Sequence, residues 1–222
     1  MQPPELVNMF AVPFAFSRYP AAAQLNPALK RYILEQEARG PMMANPRPLT
    51  RRNAGVFESH FNLFRDGNAA IQELKTFCWD QLLAVIGRLN RYDLPTLQRL
   101  QIYNDCWFHV TRRGGFFGVH NHPNASWSGV YMVDPGQHDP GKPDSGALSF
   151  INPTITSIMH MDAGIMNIQL PHGPQIANVS LEPGQLVLFP SWVLHDVKAY
   201  EGQGERITIA FNCWFTLPYA AV

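Results

Sequence analysis

The sequence predicts a mainly β fold, a barrel or a sandwich, with supporting helices near the N-terminus. After residue 100, nine short segments are rich in β-branched and aromatic residues, and turns containing glycine or proline separate them. Before residue 100 the apolar residues recur with the period of a helix. A jelly roll is one of the few ways in which many short strands can close. We therefore expect a jelly roll that helices support.

Length and composition indicate one globular domain over residues 1–222. Apolar residues make up 46% of the chain and charged residues 15%, which is enough to form a large core. We expect residues 1–99 to form a mostly helical support with an N-terminal edge strand, and residues 100–216 to form the jelly-roll catalytic core. Seventeen basic residues balance seventeen acidic ones, so a nucleic-acid partner is not expected.

The sequence also bears on the compartment. The longest apolar run, residues 9–16, is too short to span a bilayer, and no basic residue precedes Arg18 as a secretory signal requires. The three cysteines are odd in number and form no CxxC pair, a pattern typical of buried thiols in a reducing cytosol. We expect a cytoplasmic protein without membrane contact. Nothing in the sequence indicates an oligomeric state.

Three elements are expected in the N-terminal part. Residues 9–19 predict an edge strand, because Pro13 is tolerated only at the edge of a sheet. Residues 27–39 predict a helix that begins at a proline and ends at Gly-Pro. The apolar stripe of residues 69–91 predicts a longer helix that ends before Asp93.

The C-terminal part is predicted to consist of strands and loops. The candidate strands are residues 101–111, 116–122, 126–133, 147–151, 165–170, 176–180, 185–189, 193–199 and 206–215. Residues 46–53 and 134–146 are rich in proline and predict loops. We expect the loop 134–146 and the insert 152–182 to flank the mouth of a functional site.

Three of the eight histidines are candidate metal ligands. His120 and His122 are two residues apart at the end of a strand, so their side chains share one face, with Cα atoms roughly 6.6 Å apart. His195 follows an apolar strand after a stretch long enough to pass round a barrel and return. Three imidazoles placed in this way can converge on one ion, although an isolated HxH is more often a solvated strand end.

A rival pair is His160 and Asp162, a His-x-Asp pattern of the kind that binds non-haem iron. Only 33 residues separate Asp162 from His195, which leaves little of a barrel between the ligands. The remaining histidines have no partner at a useful spacing and are expected on the surface or satisfied in the core; they are His60, His109, His138 and His172.

The strand after His195 alternates in polarity. Arg206, Thr208 and Asn212 share one face, and three apolar residues share the other. A polar face in a soluble domain often meets water. If it faces the barrel instead, it forms a carboxylate site near the metal, because an arginine can grip an acid bidentately and a threonine can add a hydroxyl.

These residues together resemble an Fe(II)/2-oxoglutarate-dependent oxygenase family that is related to the prolyl hydroxylases. The resemblance covers roughly residues 100–216 and lies in the motifs His120-x-His122, Ser128-Gly-Val-Tyr131, Gly146-Ala-Leu-Ser-Phe150, Pro183-Gly-Gln-Leu-Val-Leu-Phe-Pro190 with His195, and Arg206-Ile-Thr-Ile-Ala-Phe-Asn212. It implies a double-stranded β-helix in which His120, His122 and His195 hold Fe(II). It also implies that 2-oxoglutarate chelates the iron and that Arg206 and Thr208 bind its far carboxylate.

The chain departs from the family pattern at two positions. The wider family usually has Asp or Glu where this chain has His122. If His122 is only a neighbour of the metal, Asp134 or Asp196 is the alternative third ligand. Met132 stands where related enzymes often have a tyrosine that binds the co-substrate. Tyr131 has the opposite alternation and replaces that contact only if a bulge shifts the register. We count Tyr131 and Asn212 as candidate co-substrate contacts.

Three functions fit these residues. The first is an oxygenase that uses O₂ and 2-oxoglutarate to hydroxylate a small molecule or a peptide side chain. A zinc-dependent lyase or hydrolase is the second, since three histidines also suit zinc with a bound water. The third is a non-catalytic jelly-roll module that binds a small ligand. The position of Arg206 favours the oxygenase, because zinc–hydroxide chemistry needs no such group.

Overall fold

A computed structural model describes residues 3–53, 55–137, 139–154, 160, 162–173 and 175–218. Two antiparallel sheets form its centre: a six-stranded major sheet in the order β1-β8-β5-β10-β3-β2 and a four-stranded minor sheet in the order β4-β9-β6-β7. The strands are β1 (Ala15–Arg18), β2 (Val56–Glu58), β3 (Gln101–Thr111), β4 (Phe117–His120), β5 (Trp127–Asp134), β6 (Leu148–Phe150), β7 (Ala177–Val179), β8 (Gln185–Pro190), β9 (His195–Val197) and β10 (Arg206–Thr216).

Three α-helices accompany the sheets: α1 (Ala22–Glu37), α2 (Ala69–Asn90) and α3 (Leu94–Arg99). The side chain of Asn68 accepts hydrogen bonds from the backbone N–H groups of Ala70 and Ile71 and so caps the start of α2. Single 3₁₀ turns lie at Gly40–Met42 and Leu63–Arg65. Within the described residues, no helix is both long enough and apolar enough to cross a membrane.

The larger core lies between the major sheet and the helices. Strand alternation sends Ile207, Ile209 and Phe211 of β10 to this side, where they pack with Ile71 and Leu74 of α2. The core also holds the three cysteines, Cys78, Cys106 and Cys213, which are buried free thiols as the sequence predicts. Because these side chains are needed in the helix-side core, the residues that alternate with them must lie on the opposite face of the major sheet.

A smaller core joins the two sheets. Met132, Val187 and Phe189 of the major sheet pack with Leu148 and Phe150 of the minor sheet. This cluster holds the sheets together over part of their area, and the polar face of β10 lies beside it. The predicted jelly roll with N-terminal supporting helices is confirmed.

Several predicted elements agree closely with the structure and others do not. β3 has its predicted bounds, and α2 ends one residue before the predicted end. Helix α1 begins five residues earlier than expected and contains Pro27, which lies in its second turn and costs one backbone hydrogen bond there. The short elements β2 and α3 were not predicted.

Two of these differences have a local cause. Asp93 and Pro95 mark the end of α2, but they also start α3, because the Asp93 side chain accepts from the N–H of Thr96 and the proline occupies the first turn. The predicted strand at residues 165–170 is wrong. Its backbone forms successive turns, and Met166 and Leu170 are more than half exposed, so the apolar residues of this segment join no sheet.

Candidate active site

The minor sheet brings His120 and His195 side by side. His120 is the last residue of β4 and His195 the first of β9, and the two are direct cross-strand partners. His122 follows β4, where its backbone N–H donates to the carbonyl of Ser191 (2.9 Å). The turn before β9 therefore holds His122 next to the pair.

The three imidazoles converge. One ring nitrogen from each of His120, His122 and His195 lies within 4.8 Å of the other two, which makes these residues a group that could hold a metal ion. The ring centroids are separated by 4.3 Å between His120 and His195, 5.0 Å between His120 and His122, and 5.2 Å between His122 and His195. Nitrogen ligands at such separations can all reach one ion, since metal–imidazole bonds are about 2.0–2.1 Å long.

Backbone carbonyls fix the tautomer of two of these rings. Nδ1 of His120 lies 2.7 Å from the carbonyl oxygen of Gly118, and Nδ1 of His195 lies 2.9 Å from that of Val193. A carbonyl oxygen can only accept, so both Nδ1 atoms carry the proton and donate it. Each Nε2 is then left with its lone pair free for a metal, and the carbonyl partners also set the ring orientation.

The surroundings keep the three rings neutral. Burial, together with the nearby His120, lowers the pKa of His195 to about 3. Burial also lowers the pKa of His122 to about 4 and lowers that of His120 below its usual value. Neutral imidazole is the form that binds metal ions, so the donor set fits a divalent cation without first losing protons.

A cavity of about 390 Å³ connects the histidines with the polar face of β10. Arg206, Thr208 and Asn212 line it together with all three histidines. The polar face of β10 therefore points into the barrel and not to solvent, which was the alternative that its alternation left open.

Arg206 is buried on the wall of this cavity. Its side chain is 4% exposed, and no hydrogen bond or ion pair joins it to the described part of the chain. Burial lowers the pKa of Arg206 to about 10, so the group stays cationic at neutral pH. A buried, unpaired charge is costly, and a guanidinium that faces a cavity is suited to a carboxylate from outside the chain.

Gly146 leaves room for this side chain. It has a φ of +67°, and a Cβ atom there would lie 2.8 Å from Cδ of Arg206. Any larger residue would therefore both strain the backbone and press on the arginine.

Asn212 belongs to the wall of the same cavity. Its Oδ1 accepts a hydrogen bond from the Ser128 hydroxyl (2.7 Å), and the hydroxyls of Ser128 and Ser191 are 2.8 Å apart. This chain of bonds connects β10, β5 and the turn before β9. It fixes Asn212 in place and ties the polar face of β10 to the segment that bears His195.

Tyr131 does not line the cavity, contrary to the expected co-substrate contact. Its ring is fully buried in the core on the helix side, and its hydroxyl donates to Oδ1 of Asn26 in α1 (2.7 Å). The register between β5 and β10 does shift, but beyond Tyr131, at Val133. The bulge therefore leaves the alternation of Tyr131 unchanged.

The alternative ligands do not converge with the three histidines. His160 and Asp162 contact each other (3.6 Å), but their side chains are 81% and 58% exposed; Met161 between them is outside the described residues. Asp134 pairs with Lys30 (2.7 Å), and Asp196 is 3.5 Å from Lys198. None of these four joins the convergent group, which the described residues form from histidines alone.

Sequence reasoning missed the side of the cavity that β2 and β3 form. Glu58, Trp107 and His109 line it, and the ring of His109 has its Nε2 2.8 Å from the indole nitrogen of Trp107 and 3.1 Å from the Glu58 carboxylate. Asp105, Trp107 and His109 alternate with apolar residues along β3, as the polar residues of β10 do. That alternation was the available signal.

The mouth is also built differently from the expectation. The described residues of the loop 134–146 and of the insert 152–182 do not line the cavity. Asn45, Arg47, Leu49 and Thr50 line it instead, and they come from the proline-rich connection before β2. His138, which was expected on the surface or in the core, lies outside the described residues.

Comparison with known proteins agrees with this site. Residues 105–212 match the model of a family described as "Putative 2OG-Fe(II) oxygenase". The matched segment contains all three histidines and Arg206. No curated protein matches the sequence.

Solved structures of such enzymes share the fold. A Pseudomonas putida prolyl-4-hydroxylase is 18% identical, with 91% of this chain and 92% of that chain covered at a TM-score of 0.60. A Trichoplax adhaerens prolyl hydroxylase in complex with a hypoxia-inducible-factor peptide fragment is 17% identical (90% and 83% covered, TM-score 0.62). HygX from Streptomyces hygroscopicus with nickel, 2-oxoglutarate and hygromycin B bound is 12% identical (91% and 83% covered, TM-score 0.58). At sequence identities this low, the structural match shows a shared fold and nothing more.

Proposed function

We propose that this chain, a 2OG-Fe(II) oxygenase by its family match and its jelly-roll fold, hydroxylates a C–H bond of a small molecule or a peptide side chain. One observation carries the proposal: three neutral imidazoles converge in the same cavity that encloses an unpartnered arginine. The first feature suits Fe(II) and the second suits the far carboxylate of 2-oxoglutarate.

His120, His122 and His195 would hold the metal as a facial set. The carbonyls of Gly118 and Val193 keep the Nδ1 protons of His120 and His195, so that both rings present Nε2 to the ion. All three ligands are neutral, and among the described residues no carboxylate joins them in the convergent group. A dianionic co-substrate is therefore drawn more strongly to this site than to one that already contains an aspartate.

Arg206 and Thr208 would hold the far carboxylate of 2-oxoglutarate. Arg206 offers several N–H donors from one planar group, and the buried Thr208 follows it on the same strand face. The network of Ser128, Ser191 and Asn212 fixes the wall between this carboxylate site and the histidines. These residues would orient the co-substrate.

When bound, Fe(II) and 2-oxoglutarate supply the oxidation: O₂, 2-oxoglutarate and R–H become succinate, CO₂ and R–OH, with one oxygen atom of O₂ in succinate and the other in the alcohol. The chain contributes ligand geometry, co-substrate orientation and the shape of the remaining cavity. The part of the cavity that β2 and β3 line would be left for the substrate.

Succinate formation tests the proposal against zinc chemistry. The metal-free protein is reconstituted with Fe(II) or with Zn(II), and succinate is measured in the presence of O₂ and 2-oxoglutarate. We expect slow succinate formation with Fe(II), none with Zn(II), and none in a His195→Ala variant, which retains only two ligands. Equal turnover in the two metal forms would contradict the proposal.

A further inference from the structure

Asp105 lines the cavity of the candidate active site. It is partly buried on the interior face of β3, and no hydrogen bond or ion pair joins its carboxylate to the described part of the chain. Its cross-strand neighbour Asn212 directs Oδ1 to Ser128 instead. The other cavity carboxylate, Glu58, already accepts a hydrogen bond from Asn45 (2.7 Å), and its second oxygen lies 3.1 Å from Nε2 of His109.

Two stacked aromatic pairs flank this carboxylate. Tyr103 and Trp107 precede and follow Asp105 on the same strand face. Tyr103 stacks on Trp214 with ring centroids 6.3 Å apart, and Trp107 stacks on Phe61 with centroids 4.4 Å apart. Phe61, Trp107 and Trp214 line the cavity together with Asp105. We refer to these four cavity residues as the Asp105 patch.

We propose that the Asp105 patch binds a cationic group of the substrate, an organic ammonium or a guanidinium. A carboxylate forms strong charge-assisted hydrogen bonds with such a group, and aromatic faces attract it further. Burial raises the pKa of Asp105, and the charge of Arg65 acts against this rise. The carboxylate has lost part of its hydration, so a bound cation would stabilise its charged form. This inference rests on the proposed function, because it assigns the substrate of that same cavity.

The patch is placed to present a neighbouring C–H bond to the metal site. The ring of Trp107 is 6.1 Å from the ring of His122, and Asp105 is roughly 7 Å further along the strand. A substrate whose cation pairs with Asp105 and whose chain crosses Trp107 would extend toward the histidines. A basic amino-acid side chain and a free alkyl amine both combine such a cation with an apolar chain.

Arg47 is the alternative residue for substrate recognition. It also lines the cavity, and its side chain is exposed at the mouth. If Arg47 dominated recognition, the substrate would be an anion. The carboxylate of Asp105 is flanked by aromatic rings on both sides, whereas Arg47 lies in a connection outside the sheets, and we therefore assign recognition to Asp105.

Three matched probes test the assignment: the acetylated amides of lysine, norleucine and 2-aminoadipic acid, whose side chains are cationic, neutral and anionic. Binding to the Fe(II)- and 2-oxoglutarate-loaded protein is measured without O₂, by calorimetry. We expect the lysine probe to bind at least about tenfold more tightly than the norleucine probe, which corresponds to ~1.4 kcal/mol. Asp105→Asn should remove this preference, whereas Asp80→Asn, an equal charge change on the exposed side of α2, should keep it.

Binding of the metal and of 2-oxoglutarate is measured separately, so that failure of the proposed function can be distinguished from failure of the Asp105 assignment. If the metal and 2-oxoglutarate do not bind the wild type, the proposed function fails whichever probe the cavity prefers. An unchanged lysine preference in Asp105→Asn would overturn the assignment, as would a wild type that shows no preference or binds none of the probes. Preference for the anionic probe, with its loss in Arg47→Gln, would assign recognition to Arg47.

Discussion

At the residue scale, the environment of Arg206 is the feature that most needs an external partner. Its guanidinium is buried beside Thr208 on the cavity wall, and the chain supplies no anion to it within the described residues. Structural arginines with this degree of burial are paired as a rule, because an isolated charge is expensive in a low dielectric. We therefore propose that a ligand supplies the anion.

Arg206→Ala should raise the 2-oxoglutarate requirement at least about tenfold and leave metal affinity nearly unchanged. A hydrogen bond to a charged group contributes about 1.5–3 kcal/mol, and ~1.4 kcal/mol already corresponds to a factor of ten. Arg206→Lys should recover part of the loss, since a point charge cannot reproduce the planar fork. The measurement is succinate formation against 2-oxoglutarate concentration, with iron content determined for each variant. An unchanged dependence in Arg206→Ala would remove this residue from the co-substrate site.

Tyr131 and Asn26 should influence stability and not the co-substrate. Tyr131→Phe loses one buried hydrogen bond, which costs about 1 kcal/mol, while Asn26→Ala leaves both the tyrosine hydroxyl and the carbonyl of Val133 unsatisfied and should cost about 2–4 kcal/mol. Urea denaturation measures both losses. A change in the 2-oxoglutarate requirement of Tyr131→Phe would show that the tyrosine contacts the co-substrate after all.

At the element scale, alternation explains why much of the site could be predicted. A strand with one buried face must place Arg206, Thr208 and Asn212 together, since the apolar residues between them are needed in the helix-side core. The same rule applied to β3 identifies Asp105, Trp107 and His109. The sequence prediction for residues 101–111 gave a strand without assigning its faces, so this wall was missed.

Other features depend on tertiary contacts that no local pattern encodes. The connection that bears Arg47 and Leu49 has no periodicity, and it reaches the cavity because its ends are tied to the sheet, through bridges from Ala44 to Ser59 and from Arg52 to Phe117. Helix α1 continues past Pro27 because Leu25, Leu29 and Ile33 are buried against the major sheet. In both cases packing, and not propensity, decides the structure.

At the scale of the whole molecule, the site makes the metal-free protein sensitive to acid. The folded protein holds the pKa of His122 near 4 and that of His195 near 3, against about 6.5 in an unfolded chain. Between pH 6.5 and about 4, the unfolded chain therefore binds protons that the folded protein does not. The free energy of unfolding must fall as the pH is lowered through this range.

We expect a loss of roughly 2 kcal/mol from His195 alone between pH 7.5 and pH 5. Urea denaturation of the metal-free protein at the two pH values measures the total loss. In a His195→Gln variant the same change of pH should destabilise less, by about this amount. An equal loss in the variant would mean that His195 is not held neutral by the fold.

The central claim is that one cavity holds Fe(II) on three histidines and 2-oxoglutarate on Arg206. Anaerobic titration tests it most directly, because chelation of Fe(II) by the keto acid produces a weak visible charge-transfer band. We predict that the band appears on addition of 2-oxoglutarate to the Fe(II)-loaded protein and saturates at one bound 2-oxoglutarate per iron. It should be lost in His195→Ala, kept in His160→Ala, and require more 2-oxoglutarate in Arg206→Ala. A band that persists in His195→Ala, or none in the wild type at saturating metal and keto acid, would contradict the claim.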